Sequence, residues 1–257
     1  MSRIYCIIGC IALVVLVAGV ASAETPRVFG MGDTYVAVDN TASAWSGNPA
    51  LLPLVDDAPP GAGSWPGVAA LTVAMDDNFS YQSIDTSLHS DSRRGFGAGY
   101  QSIDGFVDIY GAGYGQRCGL FENLFVGLNG MYVDDPWDEE FIMSLGLAYQ
   151  APVRRGTVTA GLTIWDLFNR WDTQYDLGVA YTNSGFTFAV DLWDDGDWNG
   201  VGLGAEYRRD PFSVRIGSSD GDFTAGAEYR YREFGFSVAY QDWGFDDIFL
   251  GGAHIQY

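Results

Sequence analysis

Apolar and polar residues alternate with a period of two from about residue 67 to the end of the chain. Residues 222–232 show the pattern most clearly. One face carries Phe223, Ala225, Ala227, Tyr229 and Tyr231, and the other carries Asp222, Thr224, Gly226, Glu228, Arg230 and Arg232. Strict alternation is typical of a β-strand with one apolar and one polar face. The pattern therefore predicts a long series of two-faced strands.

The alternation predicts fourteen strands. They lie near 67–75, 78–84, 94–103, 106–116, 123–133, 140–150, 156–165, 173–182, 185–193, 199–208, 212–218, 222–232, 233–241 and 247–256. Strands of roughly 9–11 residues suit a tilted crossing of a lipid bilayer. An even number of strands is typical of a bacterial single-chain barrel. The polar faces are rich in glycine and charged residues, which suits a lumen better than a dry core.

The turns between these strands sort by charge. Turns after odd-numbered strands carry acids, as at 134–140, and turns after even-numbered strands carry arginines, as at Arg154 and Arg155. Antiparallel neighbours send alternate turns to opposite ends of a sheet. The sequence therefore predicts an acidic rim and an arginine rim. With an even strand number both termini share one side, normally the periplasm, so we expect the acidic rim to face outside.

Aromatic residues are also sorted between the two rims. The acidic rim holds Trp137, Trp165, Trp171, Trp193, Trp198 and Trp243, and the arginine rim holds Tyr149, Tyr181, Tyr207 and Tyr229. Two aromatic belts flanking an apolar band are typical of a bilayer-spanning barrel. The alternative is that aromatic residues merely favour strand ends.

The first 65 residues lack the alternation. Residues 1–23 have the form of a signal peptide, with Arg3, the apolar run Ile7–Val20 and the small-residue site Ala21–Ala23. A transmembrane anchor is the alternative, although the apolar run is short for one. Residues 24–65 have no sustained period and are rich in Ala, Gly, Asn and Pro.

Composition and charge exclude several classes of protein. The chain has 34 Gly, 15 Tyr, 16 Phe and 8 Trp in 257 residues, which favours an all-β barrel or sandwich. The formal net charge is −20 and the sequence contains no lysine, which argues against nucleic-acid binding. After the signal peptide only Cys118 remains, so no internal disulfide is expected.

The stretch from Phe29 to Leu52 carries a family resemblance. Its matching positions are Gly30, Gly32, Ala37, Ala44, Asn48, Pro49, Ala50 and Leu52. The stretch resembles the N-terminal segment of FadL-like outer-membrane proteins, including the PorV/PorQ branch. The resemblance implies an N-terminal plug, or hatch, inside a 14-stranded barrel in the bacterial outer membrane. Asn48 before Pro49 also favours a turn that ends a short helix.

The predicted fold class follows from these observations. It is all-β: a transmembrane antiparallel up-and-down β-barrel of about 14 strands at 66–257, with a short helical plug segment at 24–65. Asn-Pro-Ala at 48–50 is either a structural turn or part of a hatch that gates a ligand path.

Catalytic and metal-binding patterns are weak in this sequence. Asp195, Asp197 and Asn199, with Glu206 behind them, match a calcium-loop spacing but have strands on both sides. A looser cation site on the acidic rim is the alternative. The two histidines, His89 in a predicted turn and His254 on a predicted lumen face, complete no catalytic set. We therefore expect no enzyme activity and no cofactor.

The lumen wall is predicted to include charged residues of both signs: Glu206, Arg215, Glu228 and Arg230. The polar residue His254 is predicted to face the lumen as well. These charges either pair along the wall or steer a polar or amphiphilic solute. The resemblance implies a channel for hydrophobic or amphiphilic molecules, gated by the hatch. The alternative is a PorV-like component of a secretion or surface-attachment system, and a third possibility is a closed structural barrel. Outer-membrane lipid, a hydrophobic small molecule and a secretion-system protein are the expected partners.

Overall fold

The structure is a computed structural model that describes residues 26–29, 31, 33–38, 42–54, 67–74, 80–90, 93–103, 106–168, 173–194, 199–242 and 247–256. Its fourteen strands are β1 Gly67–Ala74, β2 Tyr81–Ser90, β3 Arg94–Ile103, β4 Val107–Arg117, β5 Leu124–Asp134, β6 Glu139–Val153, β7 Gly156–Trp165, β8 Gln174–Asn183, β9 Phe186–Asp194, β10 Asn199–Arg209, β11 Phe212–Ser219, β12 Asp222–Tyr231, β13 Phe234–Asp242 and β14 Asp247–Gln256. The predicted signal peptide and residues 55–66 lie outside the described residues.

The strands form one closed barrel. Each strand pairs antiparallel with its neighbours in the sequence, and β1 pairs with β14 from Val68 opposite Gln256 to Ala74 opposite Leu250. Closure leaves no sheet edge with unpaired backbone groups, which is the condition for a sheet to lie in lipid. The predicted fold class and its strand number are confirmed.

The alternation places apolar side chains outside the barrel and polar or small ones inside. On β9, Phe188 and Leu192 are 53% and 49% exposed, whereas Ala189 and Asp191 between them are buried. The same alternation of exposed apolar residues with buried small or polar residues recurs on β8, β10, β11 and β12. A soluble monomer rarely exposes so continuous an apolar surface, so the exterior suits a hydrocarbon environment.

The predicted bounds of β2 were wrong by several residues. The structure extends β2 to Ser90, beyond the predicted end at residue 84, and His89 lies in this strand rather than in a turn. The polar run from Asp85 to Ser87 obscured the alternation, because Asp85 and Ser87 are buried inside the barrel. Their neighbours Ile84 and Thr86 point outward on the opposite face.

The aromatic-belt prediction was wrong for two tryptophans. Trp165 and Trp193 share the inward face with Asp176, and the Trp165 indole donates a hydrogen bond to that carboxylate. A Cβ on the inward-facing Gly200 would collide with the Trp193 indole. Both side chains lie on the lumen side of the wall because a strand end can present an aromatic residue to either face.

The described residues before the barrel form three short helices inside it. Helix α1 covers Pro26–Phe29, and the 3₁₀ helices η1 and η2 cover Ala42–Trp45 and Pro49–Leu54. We call the described residues between 26 and 54 the plug. No helix within the described part of the chain is long and apolar enough to span a membrane.

Candidate functional site in the barrel lumen

Glycines on the inner wall receive the plug. At each of them a side-chain Cβ would come closer than 3.0 Å to an atom of the plug, a distance that real Cβ atoms essentially never show. We call this set the glycine track: Gly95, Gly97, Gly99, Gly111, Gly115, Gly127, Gly146, Gly161, Gly178 and Gly204. The track runs over β3–β8 and β10, so the plug touches most of the wall. Any larger residue in the track would push the plug away.

Trp45 fills the space over the track on β3 and β4. It is completely buried, and its Nε1 donates a hydrogen bond of 2.7 Å to Oδ1 of Asp85 on β2. Its carbonyl oxygen accepts a 2.7 Å hydrogen bond from Nδ2 of Asn129 on β5. Asp85 and Asn129 lie near the middle of their strands, so Trp45 lies at about half the depth of the barrel.

A wall carboxylate binds the stretch before η1. Oδ2 of Asp191 on β9 accepts hydrogen bonds from the backbone N–H groups of Tyr35 and Val36, both at 2.6 Å. The Tyr35 hydroxyl donates at 2.7 Å to Asp176 on β8, the acid that also accepts from Trp165. Buried backbone donors need such partners, so these acids fix the path of the plug.

Asn48 joins the two arms of the plug to each other and to the wall. Its Nδ2 donates to the carbonyl oxygens of Val36 at 2.8 Å and Leu147 at 3.1 Å. Its Oδ1 accepts from the Ala50 N–H at 3.1 Å, which caps the start of η2. Asn48 therefore connects the two arms of the plug at the turn between them. The predicted short helix before this turn is η1, which ends at Trp45.

The other predicted plug residues that the structure describes lie near Asn48. Ala37, Ala44, Pro49 and Ala50 are all buried, and the Pro49 carbonyl lies over Gly115 and Gly127. Their small side chains permit close contact with the wall. Gly30 and Gly32 lie outside the described residues.

Charged residues hold the first helix of the plug against the opposite wall. Arg27 donates from Nε and Nη2 to the two carboxylate oxygens of Glu206, each at 3.0 Å. Arg215 bridges Glu206 at 2.6 Å to Glu228, which also pairs with Arg230. The structure thus places Glu206, Arg215, Glu228 and Arg230 in one buried network.

The structure describes two of the remaining predicted site residues, His254 and Asn199. His254 lies on the inner wall opposite Gly235, where its ring occupies the space of the missing side chain. Asn199 is exposed at the start of β10, and Asp195 and Asp197 lie outside the described residues. Within the described ranges, no group of three or more His, Cys, Asp or Glu side chains is arranged to hold a metal ion.

Two stretches of the lumen wall differ in polarity. Toward the acidic rim, Val133 and Ile142 belong to the hydrophobic cluster that contains Trp45, and Val107, Ile109 and Trp165 pack against this cluster. Toward the arginine rim, the inward positions of β6–β9 are polar: Gln150, Thr157, Thr159, Thr182 and Thr187. The wall near the acidic rim on β4–β6 is therefore apolar, whereas the wall near the arginine rim on β6–β9 carries several threonines.

Sequence reasoning missed several residues that bind the plug. Arg27, Tyr35, Trp45, Asp85, Asp176 and Asp191 were not singled out. A signal was present for the acids, because each is a carboxylate on the inner face of a strand that is otherwise small and polar. A carboxylate in such a position needs a partner from outside its own strand.

Comparisons with known proteins support the fold. No protein-family model matches the chain, and no curated protein sequence is similar to it. A deltaS2S3 mutant of the TodX monoaromatic hydrocarbon channel is similar in structure, with a TM-score of 0.62 and 11% identity over 91% of this chain and 98% of that one. A Pseudomonas aeruginosa FadL homologue gives a TM-score of 0.57 and 9% identity over 92% of this chain and 99% of that one. The barrel therefore has a FadL-like fold.

Proposed function

We propose that this protein is an outer-membrane channel for hydrophobic or amphiphilic small molecules and that the plug gates its lumen. The observation that carries the proposal is the plug itself. It crosses the lumen at about half depth, it contacts a track of glycines, and a buried wall acid, Asp191, binds its backbone. A segment held in this way blocks passage while it is docked.

The contacts of the plug with the wall are noncovalent and therefore reversible. They are hydrogen bonds, one ion-pair network and van der Waals contacts, with no disulfide among the described residues. The apolar wall on the acidic-rim side, at Val107, Ile109, Val133 and Ile142, suits molecules with a hydrocarbon part. One of the similar structures, TodX, is a monoaromatic hydrocarbon channel, which supports a solute with a hydrocarbon part.

Deletion of residues 24–60 tests this function. Wild-type and deleted protein are reconstituted in liposomes, and the rates of entry of a small sugar and a medium-chain fatty acid are measured. We expect the deletion to raise entry of both solutes, since it opens the lumen. Trp137→Ala is the control, because this residue is 88% exposed on a turn of the acidic rim. Equal rates for the deleted and intact proteins would refute gating by this segment.

One observation favours the second candidate, a PorV-like partner of a secretion or surface-attachment system. Three successive turns of the acidic rim expose large apolar side chains, at Phe106, Trp137 and Phe168. Asp135 accepts hydrogen bonds from the backbone of Trp137 and Asp138, which fixes the turn that presents Trp137. Unchanged permeability after deletion of the plug would favour this candidate over the channel.

A further inference from the structure

The outer face of the barrel carries a continuous aromatic surface at the arginine rim of β9–β13. We call it the rim aromatic surface, and it consists of Phe186, Tyr207, Phe212, Tyr229, Tyr231 and Phe234, all of them exposed. Neighbouring rings contact one another across the strands, with centroids 4.5 Å apart for Phe186 and Tyr207 and 5.1 Å apart for Phe212 and Tyr229. Aromatic girdles of this kind lie at the level of the lipid headgroups.

Arg209 lies on the same outer face, just beyond the rings. It follows the outward-facing Tyr207 by two residues on β10 and therefore shares its face, and it pairs with Phe212 on β11. Its side chain is exposed. Two residues along a strand cover about 6.6 Å, so the guanidinium of Arg209 reaches the level just above the aromatic girdle. In a bilayer this level holds the phosphates of the headgroups.

Arg232 approaches the same surface from the turn after β12. Its Cζ lies 5.3 Å from the centroid of the Tyr231 ring, which is a cation–π distance and holds the guanidinium on the outer face. Arg209 pairs with Phe212, and Phe212 pairs in turn with Tyr229 on β12. Since neighbouring strands are about 4.8 Å apart, only about 10 Å separates β10 from β12. The two arginines therefore flank one patch of aromatic rings.

The acids next to these arginines leave them available to a ligand. Asp210 and Glu233 follow Arg209 and Arg232 in the two turns and are exposed. Among the described residues, neither acid forms an ion pair with Arg209 or Arg232. The chain as a whole has a formal charge of −20 and repels anions at long range. A preference for an anionic lipid would therefore need a local basic site such as this one.

We propose that the phosphate of an anionic phospholipid binds between Arg209 and Arg232, with the glycerol and the upper acyl chain against Phe212, Tyr229 and Tyr231. Guanidinium groups bind phosphate with paired, charge-assisted hydrogen bonds. An anionic headgroup is favoured over a zwitterionic one, because both arginines repel the ammonium group of the latter. This site goes beyond the proposed channel function, since it lies outside the lumen and its occupancy is measured without transport.

Native mass spectrometry of the full chain in a neutral detergent tests the site. The probes are phosphatidylglycerol and phosphatidylcholine with the same acyl chains, and we expect the wild type to bind phosphatidylglycerol more tightly. The double variant Arg209→Gln and Arg232→Gln should weaken this binding by about 25-fold, roughly fivefold for each arginine, and should change phosphatidylcholine binding much less. The matched control, Arg154→Gln with Arg155→Gln, removes the same charge from an exposed turn of the same rim and should bind as the wild type does.

Three results would overturn the site. The first is equal affinity of the wild type for the two lipids. The second is an equal loss in the two double variants, which would assign the preference to the net charge of the rim. The third is binding of inorganic phosphate, added as a separate probe, as tight as that of phosphatidylglycerol, which would make the occupant a soluble anion.

Two further measurements keep the test decisive. If the double variant does not fold, the single variants Arg209→Gln and Arg232→Gln decide it, since each should lose about fivefold in affinity for phosphatidylglycerol. Deletion of residues 24–60 should leave lipid binding intact, because the site is on the outer face of the barrel. Failure of the gating experiment would therefore refute the channel but not this site.

Discussion

Replacement of Trp45 by alanine is the sharpest test of how the plug is held. Trp45 is completely buried and its side chain lies against Gly97, Gly99 and Gly111. Substituting alanine for a buried aromatic residue costs about 3–5 kcal/mol. The change also leaves Oδ1 of Asp85 without its indole donor, which adds about 1–3 kcal/mol.

These energies bear on the docking of the plug rather than on the barrel, whose backbone hydrogen bonds do not involve Trp45. At about 1.4 kcal/mol for each factor of ten, the packing loss alone raises the undocked fraction by roughly two to three and a half powers of ten. We therefore expect Trp45→Ala to increase the open probability in planar-bilayer recordings and the cleavage of the plug by protease. The melting temperature of the barrel should change much less.

Two controls make this prediction refutable. Trp137→Ala is the same substitution at an exposed rim position and should leave conductance unchanged. Gly111→Val should weaken docking in the wild type, because its side chain collides with the Trp45 ring, but should partly restore docking in Trp45→Ala by filling the vacated space. A folded Trp45→Ala protein with wild-type conductance, or strictly additive effects of the two substitutions, would refute the reasoning.

Three further predictions concern the charged contacts and the exterior. Arg27→Ala removes two charge-assisted hydrogen bonds to Glu206, which keeps Arg215 and Arg208, and should cost about 1–3 kcal/mol of docking, seen as faster proteolysis at the start of the plug in an otherwise intact barrel. Asp191→Ala leaves two buried N–H groups of the plug without an acceptor, at about 1–3 kcal/mol each, and should raise conductance less than Trp45→Ala does. Val190→Arg, in the middle of the lipid-facing side of β9, should destabilise the barrel in lipid by about 2–4 kcal/mol in urea titrations, whereas Val153→Arg near a rim should cost about 0–1 kcal/mol.

Much of the barrel could be predicted because the face of each strand residue follows from its immediate neighbours in the sequence. The period of two gave the faces of β12 and β13, and the alternation of acidic and arginine turns tested the strand count independently. β2 was the exception. Its inner face consists of Ser83, Asp85 and Ser87, which bind or adjoin the plug, so its outer apolar positions Ile84 and Leu88 did not stand out. The need to contact the plug weakened the very pattern that identifies a strand.

The plug site was less predictable because its contacts join distant parts of the chain. Glycines on the polar faces of β3 and β4 are visible in the sequence, but their partners Trp45, Pro49 and Leu52 come from a segment without any period. The inward position of Trp165 could have been predicted from the alternation. Trp165 is two residues from Thr163 and therefore lies on the same, polar face of β7. The aromatic-belt prediction considered only that Trp165 lies at the end of a strand.

The most direct test of the central claim ties the plug to the wall by a reversible bond. A Cβ built on Gly113 of β4 would lie 3.2 Å from the Cβ of Trp45, close to the Cβ–Cβ separation of a disulfide, so the pair Trp45→Cys and Gly113→Cys can form a disulfide if the plug occupies the lumen. The pair is built with Cys118→Ser and reconstituted in liposomes, and solute efflux is measured before and after a reductant is added. The account predicts slow efflux from the oxidised protein and a sharp rise on reduction. No cross-link, or the same efflux in both states, would contradict it.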